Sequence, residues 1–232
     1  MSASSLGLRN IELLEGLSPE KLDALAQQCV WRNFESGKRI ISRNAADRDV
    51  YLLVSGRVRI TTYSEGGRQV TFRDIASGEV FGEVSAIDDK PRSADVVALE
   101  TALIASISPS AFRKLLTHEP LLGERMMKRL AGMVRSLSER VIALSTLGVQ
   151  NRIHAEILRL AREAGVDRNT ARIDPGPKHA DIASQVSTYR EQVTRELSAL
   201  AKAGILGKDG GALVVRDMKR LEKMVEDVRA VA

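Results

Sequence analysis

The spacing of apolar residues divides the chain into stretches with different periods. Over residues 6–29, Leu13, Leu14 and Leu17 precede a Ser18-Pro19 helix start, and Leu22, Leu25 and Ala26 share one face beyond it, so this stretch is expected to be helical. From residue 31 to residue 107 the period changes to two. Val58, Ile60 and Thr62 alternate with Arg57, Arg59 and Thr61, and Val70 and Phe72 alternate with Thr71 and Arg73. Turn signals at Ser36-Gly37, Ser55-Gly56, Glu65-Gly66-Gly67 and Ser77-Gly78 cut the stretch into short strands, which fit a sandwich or barrel and most simply a β-roll. A jelly roll that holds a metal through histidines is the alternative, but this stretch contains no histidine.

After Ser108-Pro109 a helical period returns, breaks near Glu119-Pro120, and then runs to about Leu147. Along it Leu122, Met126, Leu130, Met133, Leu137, Val141 and Leu144 fall at steps of three and four, which predicts one apolar seam on one long helix. Two dozen residues of helix span ~36 Å, more than a small roll can cover. The helix is therefore expected to pair with its twin in a parallel homodimer. Thr146-Leu147-Gly148 reads as a hinge, residues 152–164 as a helix, and residues 165–178 as a loop rich in Gly, Pro, Asp and Asn.

Next comes a short amphipathic helix from His179 to Val186, then Ser187-Thr188-Tyr189, then a helix opening at Arg190. Ile182, Ala183, Val186, Val193 and Leu197 would face inward, which is helix-turn-helix spacing. Arg190, Glu191, Thr194 and Arg195 would share the outward side of the second helix. There an arginine can fork onto guanine O6 and N7, and a glutamate can accept from cytosine N4. Lys208-Asp209-Gly210-Gly211, followed by the strand-like Ala212-Leu213-Val214-Val215, predicts a wing. These glycines are no phosphate loop, because no Lys-Ser/Thr follows them.

Composition narrows the function classes. The 232 residues, 44% hydrophobic and 28% charged, suit two ordinary globular domains. The longest apolar runs, such as residues 50–54, are strand-sized, and the N-terminus lacks a basic-then-apolar signal, so a cytoplasmic protein without a membrane partner is expected. A single cysteine, Cys29, rules out internal disulfides and thiolate-held iron–sulfur clusters. His118, His154 and His179 lack metal-ligand spacing, so no metal is expected. The net charge of +5 permits nucleic-acid binding without arguing for it.

The candidate chemistry lies in Phe81-Gly82-Glu83-Val84 through Arg92-Ser93-Ala94. A glycine lets a ligand approach the backbone, a carboxylate can accept from a sugar hydroxyl, and a guanidinium fork suits a phosphate. The competing reading makes Arg92 a surface partner of Asp88 or Asp89. The run FGEVSAIDDKPRSA resembles the phosphate-binding cassette of cyclic-nucleotide-binding domains, and the LLVSGRVRI run around Gly56 resembles the roll of that family. The resemblance implies Glu83 on the ribose 2′-hydroxyl and Arg92 on the cyclic phosphate. Gly82 and Ser93 would add donors, with Val84 and Ala94 completing the cassette. On the long helix, Leu137 and Ser138 fall where cAMP-responsive members carry a Thr-Ser pair against the adenine. Ser138 keeps its hydroxyl and Leu137 does not, and Ser93 could serve a guanine, so cAMP is the expected effector and cGMP a possible one.

The segment SxYREQVTRELSALxxAGIL resembles the recognition helix of Crp/Fnr-type transcription regulators, with Arg190, Glu191 and Arg195 matching and Gln192 replacing a usual Thr. The resemblance implies a DNA-contacting set of Thr188, Tyr189, Arg190, Glu191, Gln192, Thr194 and Arg195 on a palindromic TGTGA-like operator. It also implies an RNA polymerase contact near residues 161–175.

The expected fold is thus α+β: a cyclic-nucleotide-binding β-roll over residues 1–118, a dimerisation helix and hinge over 119–147, and a winged helix-turn-helix over 148–232. The expected function is a homodimeric, nucleotide-gated regulator of transcription. The alternatives are a regulator of the same type sensing another small effector, or one binding DNA constitutively beside a vestigial pocket. An enzyme such as a phosphodiesterase is not expected, since no carboxylate–histidine cluster is present to hold a metal or activate water.

Overall fold

The computed structural model describes residues 5–229. The chain divides into two compact units, Met1–Met133 and Val134–Ala232.

The first unit opens with short 3-10 turns at Ser5–Leu8 and Glu12–Leu14, and a regular helix begins only at α1 (Pro19–Gln28). The continuous helical reading of residues 6–29 is thus too long. Its start signal at Ser18 is correct, for the Ser18 hydroxyl caps the helix by accepting from Lys21 N. Eight strands follow: β1 (Val30–Phe34), β2 (Arg39–Ile41), β3 (Val50–Ser55), β4 (Arg57–Tyr63), β5 (Gln69–Ala76), β6 (Val80–Phe81), β7 (Asp95–Ala98) and β8 (Ala102–Ile107). They form two antiparallel sheets in the orders β1-β8-β3-β6 and β2-β7-β4-β5.

Strand β3 is buried on both faces. Tyr51 and Leu53 join Phe81, Ile75 and Val58 between the sheets, while Val50 and Leu52 pack under α1 and later helices. That is why it reads as an unbroken apolar run rather than an alternating one. Gly56, at the turn into β4, has φ +90°, and a Cβ there would lie 2.5 Å from Thr101 O.

The alternation expected along β4 and β5 fails at a bulge. Ile60 opposes Arg73 and Thr61 opposes Thr71, leaving Phe72 as the extra residue. Thr61 and Thr71 are consequently fully buried, and Phe72 turns outward. Thr61 satisfies its hydroxyl by donating to Val70 O at 2.9 Å.

Helix α2 (Glu83–Asp88) interrupts the strands after β6. Two helices follow β8: α3 (Pro109–His118), capped by Ser108, and α4 (Pro120–Thr146), ~40 Å long and continuous across the boundary between the units. The single seam expected on α4 is in fact two. Leu122 and Met126 are buried against α1, α3 and the first sheet. Met127, Val134, Leu137, Val141 and Leu144 are exposed, and with the half-buried Leu130 they repeat at steps of three and four.

The second unit holds α5 (Val149–Ala164), the hairpin β9 (Val166–Asp167) and β10 (Thr170–Ile173), α6 (His179–Gln185), and α7 (Arg190–Lys202). It continues with β11 (Leu206–Asp209), β12 (Ala212–Val215) and α8 (Met218–Arg229). Residues 165–178 are thus no plain loop: β9 and β10 complete a four-stranded sheet of order β11-β12-β10-β9. One core, centred on Ile153, Ile157, Val193, Val215 and Leu221, joins this sheet to its helices. Gly148 caps the start of α5 with φ −59°, an ordinary conformation.

Candidate functional site

Strand β6 delivers Phe81 to the core, where its ring stacks on Tyr51 at a centroid distance of 5.1 Å. The next residue, Gly82, sits at φ 80° and ψ 3°. A Cβ there would lie 2.9 Å from both Arg92 Nη1 and Asp49 O and 3.1 Å from the Tyr51 ring. Glycine is therefore required twice over, for its conformation and for the close approach of Arg92.

Arg92 is buried, 3% exposed, so the reading that pairs it with Asp88 or Asp89 at the surface is incorrect. Asp89 instead binds Arg48 and Arg113 at 3.2 and 3.0 Å. Arg92 Nη1 donates to Gly82 O at 3.0 Å and Nη2 to Asp49 O at 2.8 Å. Both Nη2 and Nε donate to Asp47 Oδ2, at 2.6 and 3.2 Å. The guanidinium carbon lies 5.5 Å from the centre of the Tyr51 ring. Burial, then the negative charge of Asp47, pushes the Tyr51 phenol above its ordinary range.

Glu83 is also buried, at 4% exposed. Its Oε1 lies 3.8 Å from Nε of Arg129, a residue of α4 that also pairs with Glu79 and donates to Val80 O at 2.6 Å. The cation that faces Glu83 thus comes from 46 positions further along the chain. Val84 is half-buried, Ala94 buried, and Ser93 exposed. Leu137 and Ser138 lie exposed on α4, where the Ser138 hydroxyl donates to Val134 O at 2.9 Å.

The second candidate surface is built on α7. Val193, Leu197 and Leu200 bury one face, and Arg190, Glu191, Thr194 and Arg195 are exposed on the other. Arg190, Glu191 and Arg195 make no side-chain hydrogen bond or ion pair among the described residues, which leaves their donors and acceptors available. Tyr189 is 60% exposed at the helix start. Thr188 is buried, its hydroxyl donating to Gln192 Oε1, so these two side chains fasten the helix start to itself.

Four residues outside the DNA-contacting set hold this element in place. Arg152 donates to Leu147 O and Val186 O, at 2.8 and 3.1 Å, and Arg140 donates to Gln185 O at 3.0 Å, so two guanidinium groups fix the turn between α6 and α7. Beneath α7, His154 Nε2–H donates to Glu196 Oε1 at 2.5 Å. His179 Nδ1 meets Thr194 Oγ1 at 2.7 Å. Burial, then Lys208 and Arg190, holds the His179 imidazole below its usual range.

Two families of known domains match the chain: the cyclic nucleotide-binding domain over residues 31–119 and the Crp-like helix-turn-helix domain over residues 151–224. The chain belongs to the Crp/Fnr-type transcription regulators. This Crp/Fnr-type regulator is 29% identical over 221 residues to the Cyclic AMP receptor protein of Thermus thermophilus, covering 94% of this chain and 98% of that one. In fold it is similar to CooA from Carboxydothermus hydrogenoformans, with a TM-score of 0.77 at 19% identity over 97% of each chain. It is also similar to the c-di-GMP responsive regulator CLP of Xanthomonas campestris, with a TM-score of 0.73 at 19% identity over 85% of this chain and 99% of that one.

The Crp/Fnr-type chain is therefore a DNA-binding transcription regulator carrying a cyclic-nucleotide-binding domain. Among the described residues no helix is long and apolar enough to cross a membrane, and no group of three His, Cys, Asp or Glu side chains could hold a metal ion.

Proposed function

We propose that this regulator binds DNA as a homodimer under the control of a cyclic nucleotide, with cAMP as the effector and cGMP as the alternative effector. The observation that carries the reading is the buried pair Glu83 and Arg92, placed around a left-handed Gly82 in a chain whose α7 presents Arg190, Glu191 and Arg195 without a side-chain hydrogen bond or ion pair among the described residues. Buried opposite charges at a glycine-lined turn suit a ligand that carries both a sugar hydroxyl and a phosphate. In this reading Glu83 takes the ribose 2′-hydroxyl and Arg92 the cyclic phosphate. Gly82, Val84, Ser93 and Ala94 line the rest of the cassette, and Ser138 beside Leu137 reads the base.

The functional division is residues 1–118 for effector binding, 119–147 for dimerisation and hinge, and 148–232 for DNA. The repeat of exposed Met127, Val134, Leu137, Val141 and Leu144 on α4, with half-buried Leu130 in step, supports a parallel coiled-coil dimer, because a largely solvated stripe of this spacing gains most by meeting its own copy. Nucleotide favours the dimer conformation that offers two α7 helices to successive major grooves, ~34 Å apart, so the operator is palindromic and TGTGA-like. Arg190 and Arg195 face guanines, Glu191 faces a cytosine, and Tyr189 and Thr194 flank them, while Thr188 and Gln192 support the helix start. The β9–β10 hairpin, with the end of α5, is the proposed RNA polymerase contact.

A second reading draws on Asp47, whose carboxylate already occupies Arg92: the pocket answers to another effector, or to none, and DNA binding is constitutive. Calorimetric titration with cAMP and with cGMP separates the two. One site per protomer for either nucleotide is expected, and no heat with both would remove the nucleotide reading.

A further inference from the structure

Every nitrogen of the Arg92 guanidinium already faces an acceptor of the protein. Two of those acceptors, Gly82 O and Asp49 O, are backbone carbonyls fixed by the fold. The third is the Asp47 carboxylate, whose side chain is 48% exposed while that of Arg92 is 2% exposed. The segment bearing Asp47 is tied to the cassette by its backbone: Asn44 N donates to Arg92 O at 2.9 Å, and Arg92 N donates to Ala45 O at 3.1 Å. The Tyr51 hydroxyl reaches the same carboxylate oxygen, at 3.4 Å. One anionic oxygen thus gathers two guanidinium N–H groups and a phenol. The bonds to Gly82 O, Asp49 O and Asp47 engage four of the five guanidinium N–H groups, so a phosphate that takes two of them as a fork must displace one acceptor, and the Asp47 side chain is the one that the backbone does not fix.

We propose that Asp47 is a built-in competitor for the phosphate of the ligand, and that Tyr51 is a third donor to whichever anion is present. This rests on the cyclic-nucleotide reading of the pocket. The Asp47 carboxylate balances a buried cation that would otherwise stand unpaired, which is a costly arrangement. On binding, the half-exposed Asp47 side chain swings into water, while Gly82 O and Asp49 O keep the guanidinium where it is. The exchange is one anion for another, so affinity reflects the difference between two ion pairs rather than a whole one. A ligand without phosphate has nothing to exchange and gains nothing from Arg92, as expected for a site whose polar groups must be re-paired.

The test titrates wild type, Asp47→Asn and Asp47→Ala with cAMP, cGMP and adenosine, and records thermal unfolding of each protein without ligand. Whichever cyclic nucleotide the wild type binds should bind both variants about tenfold tighter, equivalent to about 1.4 kcal/mol, with adenosine binding unchanged. Weaker nucleotide binding by a variant that unfolds like the wild type would make Asp47 an orienting partner of Arg92, overturning the proposal and leaving the pocket reading intact. Equal tightening for adenosine would also overturn it, by pointing to general loosening. Binding of neither nucleotide by any of the three proteins would remove the pocket reading and the proposal together. Tyr51→Phe tests the third donor: because the phenol serves whichever anion is present, nucleotide binding should stay within about twofold when Asp47 is kept but weaken about threefold in the Asp47→Ala background, where only the phosphate can use it, and unchanged binding in that background contradicts the third donor.

Discussion

Replacing Val141 with lysine should dissociate the proposed dimer. Val141 is 63% exposed on α4 and stands in a run whose steps of three and four place it in register with Val134 and Met127. Fully burying a valine stabilises by about 1.5–3 kcal/mol, so covering the exposed two-thirds of this one contributes about 1–2 kcal/mol. A two-fold pair has two such residues in one layer, for about 2–4 kcal/mol, before counting the repulsion between two facing ammonium groups. The dimer dissociation constant should therefore rise by about 30- to 700-fold or more. Sedimentation equilibrium from nanomolar to micromolar protein measures it. Ser136→Lys adds the same charge on another side of the same helix and should leave the constant within about threefold. A wild-type constant for Val141→Lys, with helical content preserved in both variants, would refute the assignment of this stripe to self-association.

Three further outcomes follow from particular contacts. Arg190→Ala should weaken operator binding by about 1–3 kcal/mol and relax discrimination at one base position; competition with single-base operator variants reads both, and an unchanged preference would displace Arg190 from base reading. Gly56→Ala should destabilise the first unit by about 2–4 kcal/mol in urea unfolding, because it forces a Cβ against Thr101 O at a positive φ; a loss below about 0.5 kcal/mol would contradict the geometry. His179 has a folded pKa below its unfolded value near 6.5, so the unfolded chain takes up the proton first. Stability should then fall as pH drops below about 6.5, and His179→Ala should flatten part of that slope; an NMR titration placing the imidazole above 6.5 would reverse the sign.

The second unit was legible where periodicity alone decides burial. Ile182, Ala183, Val186, Val193 and Leu197 fall at helical spacing, and all five are buried. Helix α8 was not read, although Met218, Leu221 and Val225 bury one face of it; it is a highly charged helix with few apolar anchors. The β9–β10 hairpin was hidden because its strands are two and four residues long and the run is rich in turn formers. In the roll, alternation predicted β4 and β5, but no local signal marked the bulge at Phe72 that turns two threonines inward.

The seam on α4 was visible, yet a repeat in three and four does not say which residues serve the chain's own core. Leu122 and Met126 do, and Val134 and Val141 do not. Within the cassette, Gly82, Glu83 and Arg92 could be picked out because they lie in one motif. Asp47 and Arg129, the charges that face Arg92 and Glu83, come from 45 residues before and 46 residues after their partners. No spacing rule reaches that far, and the fold alone brings them together.

The most direct test of the central claim is fluorescence anisotropy of a labelled palindromic TGTGA-type duplex. Protein is titrated at one fixed salt concentration with cAMP, with cGMP, and with neither, since phosphate contacts make affinities comparable only at matched salt. Tight binding that requires one of the two nucleotides is the predicted result. Equal affinity in all three titrations would contradict gating through Glu83 and Arg92 while leaving α7 as the DNA-reading helix.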